Sequence, residues 1–458
     1  MVFYSQFTIF NRKLHRQRLQ GAIFNKTNGE LFRAFLLHGI NFVTEIQNRE
    51  GKVCLLHGLH SLFTFSFSKN HRLICDSKKS PDLFYIFAKN NQPMLENWLS
   101  PISPNPFKDS HLQDYQLGTN IGCHTSEIPD LTHTKLAIIG IGAEEANMVR
   151  NALYKMSFPF KGLGISDLGN FKKNAHAFII PLIKELLESK IIPIIIGDSA
   201  DFIAPQYKAF KSLKEMINVA LVDDNIPFSG NPDGPNALYL DEILTEKRSH
   251  LFHLGIMGCQ RHYINPESKK FFDKLHFEYI GLGDARNNMS EMEPVVRDAD
   301  LLGFNISAMK QAEVPAQSRP TPTGFTVEEA CKISRYAGMS DKLRSYGVYG
   351  FKKHEYGNEQ TAEVIAQMIW YFIDGYYNRK NDFPVSTQGL MEYIVNFNHE
   401  QIVFWKSQRS GRWWLQIPVM SNKKYQRHYL VPCSYNDYKL ACNEELPDRL
   451  VNAFKRFQ

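Results

Sequence analysis

Aspartates follow several of the apolar runs in this chain, and their grouping is its first chemical feature. Asp198 and Asp201 follow residues 191–197, and Asp223 and Asp224 end the next apolar run. We expect these two runs to form adjacent strands with the four side chains at the same end. Carboxylate oxygens are the ligands that Mg²⁺ and Mn²⁺ prefer, so these four side chains are candidates to hold one divalent cation. The alternative is structural, because aspartates at such positions also cap helices or accept hydrogen bonds from loop amides.

Other motifs with known catalytic or nucleotide-binding roles are incomplete or absent in this sequence. A Gly-x-Gly after the first predicted strand lacks the third glycine of a dinucleotide fingerprint, and no Walker A sequence occurs. Cys259 lies near His262, and Cys433 lies near His428, but neither spacing has a mechanical basis for a nucleophile and its base. We interpret both pairs as structural.

A parallel sheet is needed to bring the aspartates together, and the sequence predicts one. Apolar runs alternate with stretches of helical spacing, as in a sheet covered by helices on both faces. Pro- and Gly-rich breaks at residues 229–236 and 315–324 follow strands, and ligand sites in such sheets lie at the carboxyl ends of the strands. The predicted strands are 135–141, 191–197, 215–223, 251–256, 277–282, 300–306 and 345–349, and the predicted helices are 143–156, 178–190, 327–337 and 361–377.

Composition places the chain among folded globular proteins. Of its 458 residues 43% are hydrophobic and 22% are charged, which excludes collagenous and wholly disordered classes. The 7 cysteines are scattered without C-x-x-C spacing, so we expect neither a disulfide framework nor a zinc finger, and a reducing cytoplasm is the expected location. No apolar run approaches the roughly 18–20 residues of a membrane span, and residues 1–10 do not resemble a secretory signal.

Positive charge is concentrated in the first fifth of the chain. Residues 1–93 carry 13 Lys and Arg against 5 Asp and Glu, whereas the remainder is close to neutral. We therefore expect no nucleic-acid partner for the remainder. The preferred interpretation is that residues 1–93 are a poorly ordered extension or a mis-assigned start, with Met94 opening the folded part; the alternative is a basic arm for an acidic surface.

Residues 386–458 differ in composition and are predicted to form a separate appendage. A hairpin is predicted over residues 401–406 and 412–417, and helices are predicted over residues 435–440 and 444–457. This segment contains three of the 5 tryptophans. We expect them to pack against a neighbouring domain, and a ligand platform is the alternative.

Five landmarks, in order, resemble the ureohydrolases, the family of arginase, agmatinase and formimidoylglutamase. The likeness covers residues from about 130 to about 385, is nearest to a bacterial branch labelled formimidoylglutamase, and continues into the C-terminal segment. It implies a three-layer αβα domain over residues 94–385 and a homo-oligomer. The landmarks are residues 167–170 (D-x-G-D), 193–197 (before G-G-D-H-S), 221–223 (D-A-H-x-D), 302–306 (S-F-D-I-D) and 322–330 (P-x-x-G-G-[LF]-[ST]-x-x-E).

The resemblance implies a pair of Mn²⁺ ions that activate a bridging hydroxide, held by two His and four Asp. Of those six ligands only the first Asp of D-A-H-x-D is kept, as Asp223. The other positions hold residues that bind cations weakly or not at all, so we expect no binuclear manganese centre. These degenerate positions are Ala200 (Ser199 if the count slips by one), Asn225, Pro227, Asn305 and Ser307.

Two carboxylates fall at positions that the resemblance links to substrate. Glu329 matches a family Glu that accepts from an amidinium or guanidinium; its structural alternative is an acid at a helix start. Asp233 replaces the His of an S-G-N-x-H-G loop, and a simple turn is its alternative.

The hypothesis we prefer is that the protein is a degenerate ureohydrolase. Such a pseudoenzyme would keep the strand-end pocket and use it to bind a small ligand or a protein partner. The rival is an active formimidoylglutamase, which converts N-formimidoyl-L-glutamate and water to glutamate and formamide with a rearranged metal site. A third reading is a purely structural subunit of an oligomer.

Overall fold

The chain divides into two units in the computed structural model, Met1–Pro93 and Met94–Gln458. The structure describes six strands between residues 22 and 75, then residues 95–102, 112–246, 249–384, 387–397, 400–419 and 427–457. The six strands form one antiparallel sheet, and the prediction that residues 1–93 are poorly ordered or a mis-assigned start stays a prediction. They are β1 Ala22–Thr27, β2 Glu30–Leu37, β3 Ile40–Gln47, β4 Val53–Cys54, β5 Thr64–Phe67 and β6 Leu73–Cys75.

A ten-stranded sheet forms the centre of the second unit. Its strands are β7 Leu99–Ser100, β8 Gly122–Cys123, β9 Thr134–Ile141, β10 Gly164–Phe171, β11 Ile192–Gly197, β12 Ile217–Val222, β13 Leu251–Cys259, β14 Glu278–Gly281, β15 Leu301–Asn305 and β16 Ser345–Tyr349. They lie in the order β14-β13-β12-β15-β16-β11-β9-β10-β7, with β8 beside β10. Only the β7–β10 pairing is antiparallel in this sheet as described, which confirms the predicted mostly parallel α/β fold.

Helices cover both faces of this sheet because its strands are apolar on both sides. Ile194 and Ile196 pack into one core with the helices Ala143–Leu153, Val327–Met339 and Asn358–Tyr377, and Ile195 packs into the other with the helices His176–Glu188 and Ile203–Ser212. The result is three layers. The helices are α1 Leu95–Trp98, α2 Leu117–Asn120, α3 Ala143–Leu153, α4 His176–Glu188, α5 Ile203–Ser212, α6 Tyr239–Leu244, α7 Pro266–Lys274, α8 Leu282–Asn287, α9 Met292–Asp298, α10 Val327–Met339 and α11 Asn358–Tyr377.

All seven predicted strands and all four predicted helices of this region are confirmed, but β10 was missed. Residues 167–170, matched above to a family loop, lie inside this buried strand. Asp167 is tolerated there because Arg150 of α3, itself buried, donates to both carboxylate oxygens at 2.8 and 3.0 Å. Polar residues interrupt this strand, and the hydrogen bonds to Asp167 come from a helix elsewhere in the fold. The strand therefore has no regular alternation of apolar residues from which the sequence could have predicted it.

The C-terminal segment forms a four-stranded antiparallel sheet followed by two helices. The predicted hairpin is confirmed as β18 and β19, and the last helix begins after Pro447 rather than at residue 444. Arg297 of α9 links this sheet to the rest of the unit, since it donates to the carbonyls of Trp413 and Cys433 and lies 4.5 Å from the Trp414 ring. The elements are β17 Leu390–Phe397, β18 Glu400–Ser407, β19 Trp413–Val419, β20 Arg427–Cys433, α12 Tyr435–Cys442 and α13 Asp448–Phe457.

Among the described residues, no helix combines the length and the apolar character that crossing a membrane requires.

Candidate functional site

Two neighbouring strand ends place Asp223 beside Asn305. β12 and β15 are parallel neighbours in which Val222 pairs with Phe304, so the residue after each lies at the same edge of the sheet. The Asn305 amide nitrogen lies 3.2 and 3.1 Å from the two carboxylate oxygens of Asp223 and donates to them. The centre of the candidate site is therefore the Asp223 carboxyl group, hydrogen-bonded to the side-chain amide of Asn305.

Further donors complete the surroundings of Asp223. The Tyr239 hydroxyl of α6 donates to Oδ2 at 2.9 Å, and the Asp224 backbone N–H donates to Oδ1 at 2.8 Å. The side chain is almost fully buried, with Asp223 only 2% exposed. Every partner the structure gives this carboxyl is a hydrogen-bond donor.

Burial governs the ionisation of Asp223. Desolvation, followed by the negative charge of Asp224, raises the pKa of Asp223 to about 8, although hydrogen bonds from Asn305 and Tyr239 lower it. Burial and the neighbouring negative charge therefore oppose ionisation of Asp223, while the groups that donate hydrogen bonds to it favour ionisation.

Asp224 is neutralised by an arginine. It is buried, and the Arg319 guanidinium forms an ion pair with its carboxylate. The same guanidinium lies 5.5 Å from the Tyr263 ring. The Asn225 amide adds a longer hydrogen bond of 3.3 Å to the carboxylate.

The contacts of the Asn305 side-chain oxygen define the orientation of this amide. Its oxygen accepts from the Ser307 backbone N–H at 3.2 Å. Gly350, in a left-handed conformation with φ of 92°, packs so closely that a Cβ there would lie 2.6 Å from that oxygen. With the oxygen turned away, the NH₂ group necessarily faces Asp223.

Asp198 and Asp201 do not join this group. The prediction that their strand is adjacent to that of Asp223 is wrong, because β15 and β16 lie between β11 and β12. Asp201 accepts from the Ser199 hydroxyl at 2.7 Å in a capped turn. Asp198 is half-buried against Gly142, and burial raises its pKa.

A cavity of about 390 Å³ lies at the ends of β13 and β14. Gln260 on its wall donates its backbone N–H to the Asp224 carbonyl at 2.7 Å, so the cavity adjoins the aspartate pair. It is lined by Cys259, Gln260, Arg261, His262, Gly281, Leu282, Gly283, Asp284, Asn287 and Thr323.

Solved structures with the same architecture identify the fold. The formimidoylglutamase of Bacillus subtilis is 16% identical, with a TM-score of 0.53 over 64% of this chain and 99% of that chain. A variant of Trypanosoma cruzi formiminoglutamase, crystallised with Mn²⁺, is 16% identical, with a TM-score of 0.50 over 56% of this chain and 96% of that chain. The chain has the ureohydrolase fold. No protein-family model matches the sequence, and no curated protein matches it.

The side chains present do not fit the metal pair of that ureohydrolase resemblance. Both Asp223 oxygens already accept from Asn305, and Asp224 is paired with a cation. Pro227 offers only a backbone carbonyl, which accepts from the Leu240 N–H. Within the described ranges no group of three or more His, Cys, Asp or Glu side chains is placed to hold a metal ion.

The two substrate-side candidates have structural surroundings. Glu329 completes a capping box at the start of α10, accepting from the Thr326 N–H at 2.9 Å, and its other oxygen accepts from Arg286 at 2.9 Å. Asp233 lies in an exposed turn. Its neighbouring loop is organised by buried Asp241, which accepts from the backbone of Ser229, Gly230 and Leu238.

Sequence reasoning missed Tyr239, Arg319 and Asp241, which shape the ureohydrolase-fold site. Arg319 lies in the Pro- and Gly-rich break at 315–324, so the break was a usable signal even though the residue was not singled out. Tyr239 and Asp241 lie on a six-residue helix beyond the other break, and nothing in their local sequence marks them.

Proposed function

We propose that this protein is a ureohydrolase-fold pseudoenzyme that binds a small ligand or partner at its strand-end cavity without binuclear manganese hydrolysis. The observation that carries the proposal is the donor shell around Asp223, made by the Asn305 amide, the Tyr239 hydroxyl and the Asp224 N–H.

A divalent cation competes with those donors for the same lone pairs. To reach Asp223 it must displace hydrogen bonds and leave buried donors unpaired, at a cost of about 1–3 kcal/mol for each. The Arg319 guanidinium on Asp224 adds a fixed positive charge beside the position that a dication would take. The site is therefore electrostatically closed to a pair of Mn²⁺ ions.

The neighbouring cavity supports the binding half of the proposal. Its volume of about 390 Å³ lies within the range of small-molecule sites. Gln260 and Thr323 are hydrogen-bonded to each other on its wall, and Arg261 and Asp284 lie 3.9 Å apart at its exposed edge. These polar groups offer hydrogen bonds to a small ligand beside an otherwise apolar wall.

Metal content and product release test the proposal together. Protein purified with Mn²⁺ present is analysed for bound metal and assayed for formamide from N-formimidoyl-L-glutamate, with Bacillus subtilis formimidoylglutamase as the positive control. We expect neither near-stoichiometric manganese nor formamide. A Mn²⁺ titration is a second readout, because a ligand at 100 times its Kd adds about 2.7 kcal/mol of stability. Stoichiometric manganese with formamide release overturns the pseudoenzyme assignment.

The rival function, formimidoylglutamase activity, draws support from the names of both structural neighbours. It requires Asp223 to act as a ligand. If formamide is released by the wild type and lost in Asp223→Ala, the rival replaces our proposal.

We also propose that the chain assembles as a homo-oligomer, following the family resemblance. Multi-angle light scattering of the full chain measures its mass against 52.9 kDa for one copy, and a monomer at micromolar concentration contradicts this assignment.

A further inference from the structure

A second cavity, of about 600 Å³, lies between α9, the β18–β19 turn and the start of α12. It shares no lining residue with the strand-end cavity. The residues that matter to its chemistry are Glu293, Arg297, Arg412, Trp413, Tyr435 and Lys439.

One wall of this second cavity is aromatic. Tyr435 is 55% exposed, and its ring lies 5.7 Å from that of Trp413. Tyr438 stacks on both, with ring centroids 5.9 Å from Tyr435 and 4.8 Å from Trp413. The stack behind Tyr435 holds its ring in place, so that a planar ligand finds a preformed surface.

The wall of the second cavity carries a lysine beside its aromatic surface. Lys439 lies 5.5 Å from the Tyr435 ring and pairs with no carboxylate among the described residues. Glu291, the other acid of the lining, is paired with Arg449 at 3.5 Å. Lys439 is thus a cation beside an aromatic surface, the combination that binds planar anions.

On the floor of the cavity two guanidinium groups are matched by two carboxylates. Glu293 Oε1 lies 3.1 Å from Nε of both Arg297 and Arg412. Asp382 lies 3.6 Å from Arg412 on its other side. Nη1 of Arg297 finds no acceptor within the described structure. Burial lowers the pKa of Arg297, and although the charge of Glu293 raises it, the charge of Arg412 lowers it further.

We propose that this second cavity binds a nucleotide, with the base stacked on Tyr435 and the phosphate at Lys439. A simple oxyanion would leave the aromatic wall unused, and stacking is worth about 1–3 kcal/mol per base. The volume suits a ligand of nucleotide size. The inference does not depend on the proposed function of the strand-end site.

Isothermal titration of the full chain tests this with three matched probes: AMP, adenosine without phosphate, and inorganic phosphate. We expect AMP to bind at least about tenfold more tightly than either part, a ratio equivalent to about 1.4 kcal/mol. Equal affinity for phosphate indicates an adventitious anion only and overturns the proposal. Absence of AMP binding at millimolar concentration also overturns it, as does binding of a single-stranded oligonucleotide without AMP.

Variants place the ligand within the molecule. Tyr435→Ala and Lys439→Ala change exposed side chains and are expected to fold, and each should weaken AMP binding by about tenfold or more. Tyr356→Ala, at an 80% exposed tyrosine outside the cavity, is the matched control and should bind as the wild type does. Wild-type affinity in both cavity variants contradicts the assignment.

Discussion

A single amide decides the chemistry of the strand-end site. At position 305 an aspartate would bring lone pairs towards the edge of β12, whereas Asn305 brings N–H groups that Asp223 accepts. The two side chains have nearly the same shape but opposite hydrogen-bonding character on that side. Gly350 and the Ser307 N–H prevent the amide from turning over.

Replacing that amide by a carboxylate should destabilise the metal-free protein. Asn305→Asp places a further, partly buried carboxyl against Asp223 and Asp224 and removes a donor, so we expect the free energy of unfolding to fall by roughly 2–4 kcal/mol at neutral pH. Urea denaturation measures the change. Asn151→Asp, on the exposed face of α3, is the control and should change stability little. Equal stability of Asn305→Asp and the wild type would contradict the donor role of Asn305.

At the scale of elements, the order of strands determines which side chains meet. Parallel pairing places the end of β12 beside that of β15, and so brings Asn305 to Asp223. The same order separates β11, with Asp198, from β12 by two strands. Aspartates that look equivalent along the sequence therefore have different neighbours.

The start of α10 gives a test of Glu329. Because its oxygens serve the capping box and Arg286, Glu329→Ala should cost about 1 kcal/mol of unfolding free energy. Thermal or urea unfolding measures the loss, and the neighbouring exposed Glu328→Ala is the control. If Glu329→Ala left stability unchanged, the capping role would be refuted and the substrate-side role would gain support.

The pairing of β13 with β14 brings His253 next to Glu278, and the contribution of this contact to stability depends on pH. Burial raises the pKa of Glu278, but the hydrogen bond with His253 and the charges of Arg449 and Arg456 outweigh it, so that the pKa is lowered to about 2. A lowered pKa means that the unfolded state binds the proton first as pH falls. The contribution of Glu278 is therefore complete above about pH 5 and is lost between about pH 5 and pH 2.

Glu278→Gln tests that contact. The variant should lack this part of the acid destabilisation, a difference of roughly 2 kcal/mol between about pH 5.5 and pH 2.5. Unfolding curves across that range make the measurement, with exposed Glu267→Gln as the control. Parallel pH profiles for Glu278→Gln and the wild type would rule out the contact.

At the scale of the whole molecule, the C-terminal sheet is part of the unit that contains the ureohydrolase-fold domain. Arg297 joins the two through carbonyls of Trp413 and Cys433, while its guanidinium covers the buried Trp414 ring. A buried guanidinium with backbone acceptors from a second sheet depends on that sheet to stay satisfied. We therefore expect the two parts to unfold together.

Trp414→Ala tests this coupling. Trp414 is 1% exposed, so its removal should cost about 3–5 kcal/mol. Because the parts are joined at Arg297, the variant should lower one cooperative transition rather than split it, as followed by calorimetry and by circular dichroism. Trp405→Ala, at a less buried site in the same sheet, should cost less. Two separated transitions in Trp414→Ala would show that the sheet unfolds independently.

The sequence by itself predicted seven strands and four helices of the ureohydrolase-fold domain and its mostly parallel sheet, and it places Pro227 and Asn305 where the family resemblance implies metal ligands. These features are local, since apolar runs and ligand types are read from neighbouring residues. Only the tertiary structure shows which groups form hydrogen bonds and ion pairs with Asp223 and Asp224 in place of a metal ion. Those partners come from 16, 82 and 95 residues away in Tyr239, Asn305 and Arg319, and strand order, which no local pattern encodes, brings them to one edge of the sheet.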